Sequence, residues 1–421
     1  MAELNIPEAP PAGIESPPQS DSRGLLLTLA GSQFGLYVVL GAVPSVLLAL
    51  QLSNALGDVR KAGALAAITM CGAVAHMVAQ PLIGLLSDRT RSRWGSRTPW
   101  AVGGVVVVMP LLWGMGLTDS IVSLGALYTC SEVALCAAEG PLGAVIPDRV
   151  TPQARGRFGG ARGLGLMLGT VAGQAFAGLL ADHMTLAYFV IGAVPLVFVS
   201  LRILVDPDPD NRGVALESAD LRALAASFKV SPRQHPDFWW AFVGRLLTYI
   251  GFFTVYGYTL YLFEDYVGLG DDAAAKMPVF ALIAAVTLCA ITLPAGALSD
   301  RLGRRKIFIL VSSVGLAVAF MIPLFLPTVS GMLALGALAG ASFGCYQAVD
   351  IAVITDVLPR AESYGQDFGT FTIASLLPQV LAPAVSGGIV LLTGGYTALF
   401  PVAAICIVLG GLAILPIKAV R

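Results

Sequence analysis

Charge is scarce in this sequence. Only 12% of its 421 residues are Asp, Glu, Lys or Arg, against 56% hydrophobic ones, and the mean hydropathy is +0.80. Soluble domains carry about 25% charged residues, and a water-facing surface for a chain of this length cannot be built from half of that. Net charge is also missing: a formal −1 leaves no overall basic field, so nucleic acid is not expected as a partner. Residues 1–22 are Pro-rich and acidic and lack the basic start and short apolar core of a cleavable leader; they read as a disordered cytoplasmic tail. The six cysteines (Cys71, Cys130, Cys136, Cys289, Cys345, Cys406) sit in apolar stretches, at spacings that suit neither a metal knuckle nor a disulfide set.

Catalytic machinery is missing as well. There is no P-loop and no H-E-x-x-H, hence no machinery for an ATP-driven pump or an intramembrane metalloprotease. Gly340-Ala-Ser342-Phe-Gly344 matches G-x-S-x-G, but that motif needs a strand–turn–helix setting and here lies in an apolar, helix-length run. It reads as small residues for close helix packing, as do Gly165, Gly169 and Gly173, spaced four apart. No enzyme, metal or cofactor is expected.

What the chain has is apolar length. A bilayer core takes ~20 apolar residues per helix. Twelve runs qualify: 24–52, 63–86, 99–118, 120–146, 158–181 and 184–204, then 238–263, 277–298, 306–327, 329–355, 368–393 and 395–416. The longest interruption, 205–237, is rich in Asp, Pro and Arg and divides them six plus six. The expectation is an all-α membrane protein of twelve transmembrane helices: a tail (1–22), a first bundle (23–204), a cytoplasmic linker (205–237) and a second bundle (238–421). Basic residues crowd the even-to-odd loops: Arg89, Arg91, Arg93 and Arg97; Arg149, Arg155 and Arg157; Arg212, Arg222, Lys229 and Arg233; Arg301, Arg304, Arg305 and Lys306. Opposite loops hold only Arg60, Lys61 and Lys276. The bias puts the arginine-rich loops and both termini in the cytoplasm.

The halves repeat one another. Gly84-Leu-Leu-Ser-Asp88-Arg89 after span two returns as Gly296-Ala-Leu-Ser-Asp300-Arg301-Leu-Gly303-Arg304-Arg305-Lys306 after span eight, and Gly143-Ala-Val-Ile-Pro-Asp148 matches Ile351-Ala-Val-Ile-Thr-Asp356. Two six-helix pseudo-repeats are an architecture of secondary transporters, with the site between them near the bilayer midplane.

"GALSDRLGRRK" resembles the signature loop of the major facilitator superfamily. "SDRTRSRWGSRTPW" (87–100) resembles the first-half loop of the glycoside–pentoside–hexuronide cation symporters and the sucrose-type carriers related to them. "EGPLGAVIPDRVTPQARG" and "AVDIAVITDVLP…GTFTIASLLPQVLAP" also resemble segments of bacterial sucrose-type members. The resemblance covers the twelve-span body and implies the major facilitator fold and a proton- or sodium-coupled carrier, most often for sugars. Asp88, Arg89, Arg97, Asp300, Arg301 and Arg304 are then expected at gates, as helix-end acids and loop arginines that bridge neighbouring helices in one access state; alternatively, they only set topology.

Charge inside the membrane costs at least ~2.5–3.5 kcal/mol on insertion scales and is read as functional. Glu139 lies nine residues before Asp148, ~14 Å from the helix end and near mid-bilayer. Pro141 should loosen the helix beside it. The resemblance implies a cation- or sugar-binding acid at this place and an arginine that works with it, here Arg162 in span five. Such a pair suits proton coupling; the other reading is a static salt bridge. The second half has Gln347 in place of Glu139, with Asp350 one turn on and Arg245 in span seven at comparable depth, a candidate structural or gating pair. Glu132 is either a proton-uptake residue or part of a polar outer vestibule. A sugar cavity would draw on Gln33, Tyr37, Glu139, Arg162, Tyr256, Gln347 and Gln379. The aromatic stripe of span seven (Tyr249, Phe252 or Phe253, Tyr256) suits sugar stacking or, more commonly, packing and interfacial belts.

Sodium-using sugar carriers of the family place acids in span two; here that span has only His76 and Gln80 as polar residues, which favours protons, or no cation. His76 itself titrates near neutral pH in the ordinary case, although a lone histidine is more commonly structural. Proton-coupled sugar symport is thus favoured. The alternatives are proton-antiport efflux of a hydrophobic small molecule or natural product, and a membrane enzyme or non-transporting receptor. The expected home is a bacterial cytoplasmic membrane; the expected partners are a small-molecule substrate, protons and the lipid bilayer, with a monomer as the default.

Overall fold

A computed structural model describes residues 22–151, 154–213, 235–357 and 364–418, which are all-helical. Each of the twelve apolar runs is a long helical segment. The first six are α1 (Arg23–Ala55), α2 (Gly57–Arg89), α3 (Thr98–Met115), α4 (Ile121–Arg149), α5 (Arg155–Leu179) and α6 (Met184–Val205). The last six are α7 (Pro236–Tyr256), α8 (Ala273–Leu302), α9 (Arg305–Phe325), α10 (Val329–Val357), α11 (Tyr364–Thr393) and α12 (Leu399–Leu412). Between α7 and α8 come a one-turn helix (Thr259–Tyr261), a π-helical turn (Leu262–Tyr266) and a 3₁₀ turn (Gly270–Asp272).

In lipid every backbone polar group must be satisfied within the segment, and helices do this. Among the described residues nine helices are long and apolar enough to cross a bilayer by themselves. The others fall short for evident reasons: α5 carries Arg155, Arg157 and Arg162 with eight glycines, the described apolar part of α11 is Leu377–Thr393, and α12 has only 14 residues. Large apolar side chains face outward, with Leu392 88% and Val122 82% exposed; lipid is the solvent that suits such a surface. Pro141 does not break α4, which runs on through it. The interruption comes in α1 instead, as a π-helical turn over Val43–Leu47 that contains Pro44.

Helix pairing repeats with a period of six. In the first half α1 packs on α5 and α6, α4 on α2 and α3, and α3 on α6. In the second half α7 packs on α11 and α12, α10 on α8 and α9, and α9 on α12. The two large contacts that cross between halves, α2–α11 and α5–α8, exchange under the same shift. Glycine makes the tightest of these approaches. A Cβ on Gly165, Gly169 or Gly173 of α5 would lie 2.2–2.4 Å from the Ala30, Phe34 and Val38 carbonyl oxygens of α1. On α10, a Cβ on Gly340 would lie 2.2 Å from Ala284 O of α8, so the G-x-S-x-G stretch is indeed a packing surface. All six cysteines are free.

Candidate functional site

The glycine seam between α1 and α5 brings four polar side chains together. Gln33 and Tyr37 stand one turn apart on α1. Tyr37 donates its hydroxyl hydrogen to Glu139 Oε1 of α4 at 2.9 Å, and Arg162 of α5 donates from Nε to Gln33 Oε1 at 2.9 Å. The Arg162 guanidinium lies over Gly143, one turn beyond Glu139; a Cβ there would meet Nη1 at 3.2 Å. Glu139 and Arg162 form no ion pair among the described residues: the two α1 side chains hold them apart, one each. Gln33 is 2% exposed, yet its Nε2 has no hydrogen-bond partner. A buried amide donor, a guanidinium and a carboxylate with unused capacity, all on three helices, are the groups that a hydroxyl-rich ligand satisfies.

The other expected substrate residues are not in that cluster. Tyr256 accepts a hydrogen bond from Gln174 Nε2 of α5 at 3.2 Å and stacks on Phe252, with ring centroids 5.2 Å apart. Phe252 in turn stacks on Phe343 of α10 at 4.1 Å and 9°, and Phe343 on Tyr346 at 6.2 Å and 4°. The span-seven stripe therefore packs against α10, the commoner of its two readings. Gln347 lies beside Tyr249, and Gln379 is exposed on α11. Arg245 and Asp350 do meet, at 3.2 Å, with the guanidinium 5.2 Å from the Tyr249 ring centre.

Two contacts join residues that the sequence offers only singly. His76 Nδ1 of α2 lies 3.1 Å from Glu132 Oε2 of α4, two turns from Glu139. Lys61, placed by sequence in a loop, is inside α2 and wholly buried, bonded to Glu264 Oε1 at 2.9 Å and Asp265 Oδ1 at 2.7 Å. The hydrogen-bonding partner in each case is far away in sequence, so no local pattern signals it.

At the arginine-rich end, Arg97 pairs with Asp88 at the close of α2 and with Asp148 at the close of α4, the latter at 2.9 Å. The DPDPDN stretch that follows α6 docks beside it. Asp208, 8% exposed, accepts from Thr98 Oγ1 (2.7 Å), Arg149 Nη1 (2.9 Å) and Arg202 Nη2 (2.8 Å). Burial raises the Asp208 carboxyl, but Arg202, Thr98 and Arg149 overcome it and hold the group below the usual carboxylate range. Gly95, at φ 76°, lets the α2–α3 loop approach: a Cβ there would fall 2.6 Å from Asp208 Cβ. Asn211 Oδ1 accepts from Ser92 N at 2.8 Å. Arg89, Arg301 and Arg304 are exposed, and the side chain of Asp300 lies outside the described residues.

Twelve helices paired with a six-helix period, enclosing buried charge, define a multi-pass membrane protein of the major facilitator fold. A variant of the nucleoside transporter NupG superimposes with a TM-score of 0.74 at 14% identity, covering 94% of this chain and 100% of that one. A bacterial homologue of the human lysosomal transporter Spinster, inward-facing and unoccupied, gives 0.62 at 16% identity, covering 94% of each. The sequence pattern of the MFS/sugar transport proteins matches residues 36–402, and the chain belongs to that family. It is 54% identical to an uncharacterised symporter of Synechocystis sp. over 39 residues, 9% of this chain and 7% of that protein. It is 39% identical to the sucrose transport protein SUT1 of Oryza sativa over 77 residues, 17% of this chain and 14% of that protein. The chain thus aligns with only a small part of the length of these relatives.

Proposed function

We propose that this protein is a secondary transporter that couples uptake of a sugar or glycoside to protons by alternating access. The observation that carries the reading is the Glu139–Tyr37/Gln33–Arg162 cluster, a titratable acid one hydrogen bond from α1 and an unsatisfied amide beside a guanidinium. Family membership supports a sugar as the cargo, and the partial likeness to a sucrose transporter supports a glycoside. In this scheme a sugar hydroxyl takes the free Gln33 amide and the Arg162 guanidinium. Occupation of Arg162 and Gln33 by the sugar then ties loading of the site to the proton carried by Glu139. The bundles 23–204 and 238–421 rock about this site, joined by the linker 205–237, with both termini on the cytoplasmic side of a bacterial cytoplasmic membrane. A single chain holds both bundles, so a monomer suffices.

The test is binding before transport. Purified protein is screened for thermal stabilisation by a panel of mono- and disaccharides, since a ligand that binds the folded state raises the melting temperature. One sugar should shift it in the wild type and fail to do so in Gln33→Ala. A panel without effect, with stabilisation by apolar compounds, would turn the assignment to efflux.

A further inference from the structure

The contacts that cross between the first six and last six helices collect at one end, the end opposite the arginine-rich loops. There Gly387 of α11 meets Ala66 of α2 so closely that a Cβ would lie 2.5 Å from Ala66 Cβ, and a Cβ on Gly178 of α5 would lie 2.7 Å from Ala274 O at the start of α8. Tyr258 donates to Ala62 O at 2.8 Å and Tyr261 to Ala49 O at 3.0 Å. Among the described residues the ion pairs that join the two halves are those of Lys61 with Glu264 and Asp265.

Lys61 is an unusual residue to bury. It comes from α2, its carboxylates from the π-helical turn after α7, and a third ligand from α1: Ser53 Oγ lies 3.3 Å from Nζ and also bonds Glu264. The Tyr261 ring lies beneath the ammonium, 5.1 Å from its centre. A buried ion pair is weak as a source of net stability, because desolvation offsets its Coulomb gain, but removing one side of it is costly. Such a pair suits a contact that must be made in one state and given up to water in another. The carboxylates keep 17% and 24% side-chain exposure, so they are near water already and their rehydration needs little rearrangement.

We propose that Lys61, Glu264, Asp265 and Ser53 form the gate that closes this end of the transport path, and that parting this cluster opens it. The inference rests on the alternating-access part of the proposed function and is indifferent to the cargo. Its test therefore uses no sugar. Spin labels are placed in full-length protein whose native cysteines have been replaced, in lipid nanodiscs. One pair, at Asp119 and Ser330, spans the gated end; the other, at Arg93 and Leu302, spans the arginine-rich end. All four positions are exposed.

Lys61→Met keeps length and apolar packing but removes the charge. It should lengthen the 119–330 distance and shorten the 93–302 distance, with the ratio of the two states changed by about tenfold, within the usual range of conformational coupling. Lys61→Arg should retain the wild-type distances. Glu264→Gln with Asp265→Asn removes the charges from the other side and should act as Lys61→Met does, which keeps the test decisive if the buried position does not tolerate methionine. Unchanged distances in these variants would overturn the proposal. So would lengthening at the gated end without shortening at the other, since that is local fraying and not alternation.

Discussion

In the proposed scheme coupling turns on Glu139, and the hydrogen bond it accepts from Tyr37 makes a specific demand. Tyr37→Phe removes the donor but leaves the ring, so it should preserve folding and alter the pH dependence of transport, while Glu139→Gln should abolish coupling and keep exchange of bound sugar across the membrane. The comparison to make is gradient-driven uptake against equilibrium exchange in the same vesicles; loss of both in Glu139→Gln would make the residue a binding group only. Asp208 gives a second prediction at this scale. Its carboxyl is held below the usual range in the folded state, so its contribution to stability is present above the ordinary carboxylate pKa, about 3.9. It is lost as pH falls through the lower folded value. Asp208→Asn leaves the buried Arg202 with a neutral acceptor, while Arg149 keeps the Asp206 carboxylate at 2.6 Å, and should destabilise by roughly 3 kcal/mol at neutral pH. Melting curves should show that gap narrowing below about pH 4; a gap that stays constant with pH would deny the carboxylate this role.

Among elements, the α1–α5 seam decides the geometry of the site. Three glycines let α1 carbonyls approach α5 closely, and the close approach sets Gln33 and Tyr37 between Glu139 and Arg162. Gly169→Val should push the helices apart, costing roughly 1–3 kcal/mol as overpacking does and separating Arg162 from Gln33. The check is sugar binding together with the melting temperature: normal binding in a stable Gly169→Val protein would contradict the account. The seam was legible in the sequence, because a four-residue glycine spacing on one helix has few other uses. What lay against it was not. The pairing of Glu139 with Arg162 rests on the family resemblance and on similar depth, and neither says which third helix stands between. The docking of Asp208 was equally hidden, since DPDPDN reads as a solvated linker until Arg149 and Arg202 are seen to converge on it.

The whole molecule repeats itself more faithfully in its packing than in its sequence. The loop repeats around Asp88 and Asp300 announce two related halves, and every major helix pairing then recurs six helices on. The polar residues do not follow: the first half holds Glu139 with Arg162, the second Arg245 with Asp350 and an aromatic stack on α10. The twelve helical segments are legible in the sequence because lipid enforces apolar length on most of them. The Lys61 cluster is not legible there: a lysine near a predicted span end reads as a topology signal, whereas the helix begins early enough to carry it inside. The two halves share a packing plan but differ in their buried charges, and the ion pairs of Lys61 with Glu264 and Asp265 join them at one end.

The most direct measurement is uptake into liposomes. Protein is reconstituted, an inward proton gradient is imposed, and entry of a small panel of radiolabelled mono- and disaccharides is followed for wild type and Glu139→Gln. Accumulation of one sugar driven by the gradient, and lost in the variant, is the predicted result. Wild-type accumulation that ignores the gradient, or survives Glu139→Gln, would contradict proton coupling at Glu139; no movement of any sugar would contradict the sugar assignment itself.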